Sequence, residues 1–325
     1  MKIIFMGTPD FSVGTLERLL EAGHEIMLVV TQPDKARGRG KKVQYSPVKE
    51  AALAHGLEVY QPKRIREEEC VAYLKGYEAD IAVVVAFGQI LPKEILEMPR
   101  YGCVNVHASL LPKYRGASPI QWAVIQGEDV TGVTTMRMDE GLDTGDIILQ
   151  QEVRLREDET GGSLFERLSQ AGAELCVKTL EAIGQGKAVY TPQDHEEATH
   201  TTIINKQLGK IDWNMPAKEL ECLVRGLNPW PSAYTSLNGK VLKIWKASWL
   251  PQPLEKAGEK EEAANGGSGQ KAQPGTVLEA GKGGWKVQAG QGILVLEEVQ
   301  LEGKRRMAAN DFLRGFPVEA GQKFE

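Results

Sequence analysis

The sequence predicts an α/β domain built on a mostly parallel sheet, followed by a small all-β domain. Three observations carry that prediction. Short apolar runs alternate with amphipathic, helix-length stretches through the first part of the chain, as in a parallel sheet covered by helices. After about residue 206 the texture changes to short strands between glycine-rich turns, which suggests a barrel. The chain has 325 residues, more than one hydrophobic core usually holds, so two domains are expected.

Taken in order, Lys2–Met6 is a short apolar strand that stops at the turn "GTPD". Phe11–Ala22 has helical spacing, with Asp10 as the expected N-cap and Gly23 as the stop. Glu25–Thr31 is rich in Val and Ile and forms the next strand; Ser46–His55 is a helix ended by Gly56. Ile81–Val85 is wholly apolar, as a strand covered on both faces should be, and Cys103–His107 is another strand. A helix ends near Gln121–Gly127. Strands Val133–Met138 and Asp146–Val153 and the long helix Gly162–Gly184 follow. Residues 185–205 are polar, contain proline, and read as a linker. The later strands are Leu242–Ala247, Gly275–Leu278, Trp285–Gln288 and Gly292–Gln300. Residues 254–273, "LEKAGEKEEAANGGSGQKAQ", are almost free of large apolar side chains and read as a flexible loop. Trp213, Trp230 and Trp245 are expected to fill the second core.

Composition narrows the function classes. Hydrophobic content of 42% and charged content of 26% are those of an ordinary soluble protein. Residues 1–205 hold 22 Lys+Arg and 30 Asp+Glu, a net of −8; residues 206–325 hold 17 and 14, a net of +3. The opposite signs hint at a polyanion partner for the second part. Cys70, Cys103, Cys176 and Cys222 are far apart with no C-x-x-C pair, which argues against a zinc site or a disulfide scaffold and fits a reducing cytosol. "MKIIFMGTPDF" is too short for a signal segment, and no stretch approaches the roughly 18 apolar residues of a membrane span. His195 and His200 stand with acids in "DHEEATH", but in a stretch that reads as linker, so no metal site is expected.

Side chains alternate faces along a strand, so Asn105 and His107 share one. His107 is last on its strand, at the carboxyl edge where open α/β sheets place their sites. Three acids, Asp139, Asp143 and Asp146, lie in "MRMDEGLDTGD" just past another strand; any of them could reach the imidazole, and spacing does not choose. "MGTPDF" lacks G-x-G-x-x-G, which weighs against a dinucleotide site. "DKARGRGKK" carries Lys35, Arg37, Arg39, Lys41 and Lys42 after a strand end, a mobile basic loop suited to phosphates.

Together, "MGTPDFS", "TQPDKARGRGKK", "VNVHASLLPKYRGASPIQ", "GLDTGDI" and "LNPWPSAYT" resemble segments of the 10-formyltetrahydrofolate-dependent formyltransferases, from the first residues to about 315. The 254–273 insertion is the one departure. The resemblance implies a Rossmann-like catalytic domain over 1–190, a linker over 191–205 and an OB-like tRNA-binding domain over 206–315. It implies catalytic roles for Asn105, His107 and Asp143, with Asp143 singled out by the resemblance alone. It implies a folate wall at Ser109, Leu110, Leu111 and Pro112, and tRNA contacts at Lys35, Arg37, Arg39, Lys41 and Lys42, with Arg39 central. The implied activity is formyl transfer from 10-formyltetrahydrofolate, without a metal, to the amine of methionine on initiator tRNA. A sugar-nucleotide amine or water is the alternative acceptor, and a non-catalytic RNA-binding protein is the alternative class. A cytoplasmic monomer is expected.

Overall fold

The computed structural model describes residues 1–37, 42–251, 272–281 and 283–324. The chain divides into two compact units: residues 1–120, 129–155 and 163–202 form the first, and residues 121–128, 156–162 and 203 onward form the second.

The first unit begins with β1 (Lys2–Gly7), α1 (Asp10–Glu21) and β2 (Glu25–Val30), followed by the short pair β3 (Lys35–Arg37) and β4 (Lys42–Gln44). Next come α2 (Pro47–Ala54), β5 (Val59–Tyr60), α3 (Glu68–Lys75), β6 (Ile81–Val85), α4 (Lys93–Leu96), β7 (Cys103–His107) and β8 (Arg115–Gly116). After α5 (Pro119–Ile125), most of which belongs to the second unit, come β9 (Val130–Arg137), β10 (Ile147–Arg154), α6 (Gly161–Gly184) and β11 (His200–Thr201). Seven strands make one sheet in the order β10-β9-β7-β6-β1-β2-β5. Pairing is parallel from β5 to β7 and antiparallel at β9 and β10, so the sheet is mostly parallel.

Register explains where the site falls. Met6 pairs with Val30 on one side and Val84 on the other, and Val84 pairs with Asn105. The carboxyl ends of β1, β6 and β7 therefore reach one edge together. Strand order reverses between β1 and β6, the kind of switch point beyond which open α/β sheets place their sites. The parallel strands β1, β2 and β6 are largely apolar because both faces are covered; Ile3, Ile4, Phe5, Leu28, Val29 and Val83 are fully buried.

Some elements differ from expectation at their ends. Helix α1 starts at Asp10, with Pro9 at the cap position, and the Asp10 carboxylate accepts from Phe11 N–H at 3.1 Å. A first-turn acid still meets unsatisfied N–H groups there. Ser46 caps α2, accepting from Lys49 N–H at 3.1 Å. The flanks of the basic stretch are not open loop: β3 and β4 pair antiparallel, Lys35 opposite Gln44 and Arg37 opposite Lys42. Arg39 and Lys41 lie outside the described residues, as does nearly all of 254–273.

The second unit is not all-β. A 3₁₀ turn (Lys206–Gly209) and α7 (Ala217–Gly226) precede β12 (Ala233–Leu237) and β13 (Lys240–Leu250). β14 (Val277–Gly281), β15 (Gly284–Gln288), β16 (Ile293–Leu301), β17 (Met307–Ala308) and α8 (Ala309–Gly315) complete it. The strands form an antiparallel sheet, β12-β13-β16-β15-β14, with β17 beside β16. Among the described residues no pairing joins β14 back to β12. The apolar face of α7, Leu220, Leu223, Val224 and Leu227 at helical spacing, packs in the same core as Leu242, Ile244 and Leu294. Trp213 and Trp285 sit in that core, but Trp230 is 53% exposed and Trp245 is half-buried. Its ring has Lys243 Nζ 5.4 Å and Arg306 Cζ 5.0 Å from its centre.

Candidate active site

β7 delivers Asn105 and His107 to the carboxyl edge of the first unit on one face, both buried. Among the described residues the Asn105 carboxamide has no hydrogen-bond partner. Asn105 is 9% exposed, and its amide is not among the fully buried groups left without a partner, so it stays open to a ligand or water.

The imidazole is addressed from both sides. His107 Nε2 lies 2.9 Å from the Tyr114 carbonyl oxygen. A carbonyl only accepts, so Nε2 carries a proton. His107 Nδ1 lies 3.7 Å from Asp143 Oδ2, ion-pair reach rather than a direct hydrogen bond. The same Oδ2 accepts from Gly116 N–H at 2.8 Å. Of the three acids left open by spacing, Asp143 is the one beside the ring. Asp139 is used inside its own turn, accepting from Gly141 N–H and Thr144 Oγ1–H. The Asp146 carbonyl accepts from Arg137 N–H. Asp143 holds a left-handed backbone, φ 54°, uncommon for a residue with a side chain.

Residues 109–112 form a pinned loop. The Ser109 hydroxyl donates to the Lys113 carbonyl at 2.6 Å, and its own carbonyl accepts from Thr134 Oγ1–H at 2.7 Å. Leu111 N–H donates to Thr134 Oγ1, and Gln150 Nε2–H donates to the Leu111 carbonyl. Ser109 is fully buried, and its hydroxyl and carbonyl are both engaged within the protein. Leu110 and Pro112 are half-buried. Leu111 is buried.

Three residues of this site carry no sequence signal of their own. Thr134 and Gln150 look like polar positions of ordinary strands. Gln193 lies in the segment expected to be linker, yet it is buried and joins the site. That segment is held in place: Thr191 bridges Ile147, and β11 pairs in parallel with β8. His195 is engaged too, its Nδ1 lying 3.2 Å from Arg115 Nη1. No group of three or more His, Cys, Asp or Glu able to hold a metal ion occurs among the described residues. No described helix is long and apolar enough to cross a membrane.

The basic hairpin is anchored at its base. Lys49 Nζ donates to Asp34 Oδ2 at 2.6 Å and to Gln61 Oε1 at 2.7 Å, while Gln61 Nε2 donates to Asp34 Oδ1 at 2.8 Å. The Lys49 ammonium, and after it the Gln61 amide, hold the Asp34 carboxyl below the usual carboxylate range.

Comparison with known proteins adds to this geometry. Residues 1–180 match the family described as formyl transferase, and residues 203–317 match the formyl transferase C-terminal domain. The methionyl-tRNA formyltransferase of Agathobacter rectalis is 60% identical over 324 residues, covering 100% of this chain and 99% of that protein. That of Clostridioides difficile is 48% identical over 321 residues, covering 99% of each. Among solved structures, the sugar 3N-formyl transferase WlaRD matches with a TM-score of 0.62 at 19% identity, over 94% of this chain and 99% of that one. HypX from Aquifex aeolicus in complex with tetrahydrofolic acid matches with a TM-score of 0.58 at 17% identity, over 100% of this chain and 50% of that one. At such identities the likeness speaks for the fold.

Proposed function

The chain belongs to the formyl transferase family, and from that membership we propose that it carries the formyl group of 10-formyltetrahydrofolate to the amine of methionine on initiator tRNA, for translation initiation. The observation that carries this reading is the full-length likeness to methionyl-tRNA formyltransferases at 48% and 60% identity. It covers both units of the chain.

The folate supplies the formyl carbon and takes a proton on the nitrogen it leaves. The chain's part is to receive charge and hold protons. As the methionine amine attacks, a C–N bond forms, the bond to the folate nitrogen breaks, and negative charge gathers transiently on the formyl oxygen. Asn105 offers that oxygen an amide N–H that has no other use in the fold. His107 offers its Nε2–H, which the Tyr114 carbonyl keeps aimed until the oxygen takes it over. Such preorganised donors stabilise developing charge without reorganising; removing one typically costs about 3–4 kcal/mol. Asp143, on the Nδ1 side, sets the ring's orientation and its charge environment. The amine loses a proton and the folate nitrogen gains one, relayed through His107 or water.

Leu110, Leu111 and Pro112 form the wall against the folate, and Ser109 holds that wall in shape. Lys35, Arg37, Arg39, Lys41 and Lys42 grip tRNA phosphates from the hairpin. We read residues 1–190 as catalytic, 191–205 as the connection, and 206–315 as an OB-like tRNA-binding domain. The cations around Trp245 support that last role. The protein works as a cytoplasmic monomer.

Incubation with 10-formyltetrahydrofolate and charged initiator tRNA yields formyl-methionyl-tRNA. Absence of that product, with formylation of an amino-sugar nucleotide instead, removes the reading.

A further inference from the structure

We infer that Gln193 is a positioning residue for formyl transfer, the clasp by which segment 191–201 holds both loops that address His107. The inference rests on the reading of Asn105, His107 and Asp143 as the catalytic set.

Gln193 Nε2 donates to the main-chain carbonyls of Asp143 (2.9 Å) and Gly145 (2.7 Å). Its Oε1 accepts from Arg115 Nε at 3.1 Å and Nη2 at 2.8 Å. Carbonyls only accept and guanidinium only donates, so the amide has one workable orientation. Gln193 and Arg115 are 6% and 3% exposed. Water is scarce there, so these groups depend on each other for partners.

The same segment grips the other loop. Arg115 N–H donates to the Thr199 carbonyl, Tyr114 N–H to Thr199 Oγ1 at 2.8 Å, and Thr201 Oγ1–H to the Arg115 carbonyl at 3.1 Å. A Cβ on Gly116 would stand 2.7 Å from the Thr201 carbonyl oxygen, at a φ of +100°, so glycine is what lets the two strands approach. Segment 191–201 therefore fixes the Tyr114 carbonyl, which faces Nε2, and Gly116 N–H, which holds the Asp143 carboxylate. Through Gln193 it also fixes the backbone that carries Asp143. Both neighbours of the imidazole are set by one strip of chain that touches neither ring nitrogen.

The test is steady-state formylation by the full-length protein as Gln193→Ala, Gln193→Glu and Thr199→Val. Gln193→Glu keeps an acceptor for Arg115, and so the fold, but loses both N–H donors to the Asp143 loop. Thr199 is exposed, so its change is mild for folding. Misplacement by an ångström costs up to about a hundredfold in rate. The expected result is a kcat lower by about ten- to hundredfold in both Gln193 variants, and by less in Thr199→Val. KM for tRNA and folate stays near the wild-type value, and the pH profile of kcat moves. Loss of fold in Gln193→Ala transfers the decision to the other two variants. Active wild type with Gln193→Glu equal to it in kcat and pH profile overturns the inference and leaves the formylation reading standing. A His107→Ala variant as active as wild type overturns the reading of Asn105, His107 and Asp143 as the catalytic set, and this inference with it.

Discussion

At the scale of single residues, His107 is defined by what its two nitrogens face: a carbonyl at 2.9 Å and a carboxylate at 3.7 Å. Asp143→Asn keeps the shape but removes the charge beside the ring. Its expected outcome is a kcat lower by about a hundredfold or more with folate binding nearly unchanged, read by single-turnover formylation and folate titration. Asn105→Ala leaves one donor for the formyl oxygen and is expected to lower kcat comparably. A different residue-scale prediction concerns the thiols. Burial pushes Cys103 and Cys176 up to about 12. Native protein at pH 8.5 should resist alkylation at both, while unfolded chain reacts. The unfolded thiol ionises first, near the ordinary value of about 8.5, so stability from this source is full below that pH. It is lost as pH climbs toward about 12, which a falling urea midpoint over that window reports.

At the scale of elements, two placements bear on the proposed function without touching a reacting atom. Gly132 on β9 lies against Leu110 of the loop proposed as the folate wall: a Cβ there would stand 2.6 Å from Leu110 Cδ2 and would also clash with the Gln151 carbonyl oxygen. Gly132→Ala must therefore move strand or loop. The expected outcome is a raised folate KM and a loss of about 1–3 kcal/mol of stability, read by kinetics and denaturant melts. The β3–β4 hairpin is tied to α2 and to the end of β5 by Asp34, Lys49 and Gln61. Lys49→Ala should free its base. tRNA KM then rises several-fold while folate KM holds, which a comparison of the two KM values checks. Because the Asp34 carboxyl is held low, the clasp is intact at neutral pH and lets go only as pH falls below the ordinary aspartate range.

At the scale of the whole molecule, the chain has a net charge of −5 while its second part has +3, and the proposed tRNA contact runs through that part and the basic stretch 35–42. Affinity for tRNA should fall linearly with the logarithm of salt, while folate affinity changes little. Arg39→Ala should reduce the steepness by about one phosphate contact, a slope change of roughly 0.7–0.9. A salt series of KM values for both substrates checks this. Much of the architecture was already legible in the chain. Apolar runs such as Ile81–Val85 and Cys103–His107 specify covered strands, and period two puts Asn105 and His107 on one face at a strand end. Helix α7 follows the helical spacing of Leu220, Leu223, Val224 and Leu227, a local signal that the expectation of an all-β second domain passed over. Local patterns determine such things because face and period are properties of consecutive residues. Spacing did not choose among the three acids, although the family resemblance pointed to Asp143; the tertiary structure sets that residue beside the ring through a left-handed backbone and a grip from Gly116, 27 positions away. Only it turned a polar stretch into the clasp at Gln193, 78 residues from Arg115. A polar side chain buried by a distant partner leaves no periodic trace, because its partner is specified by the fold and not by its neighbours.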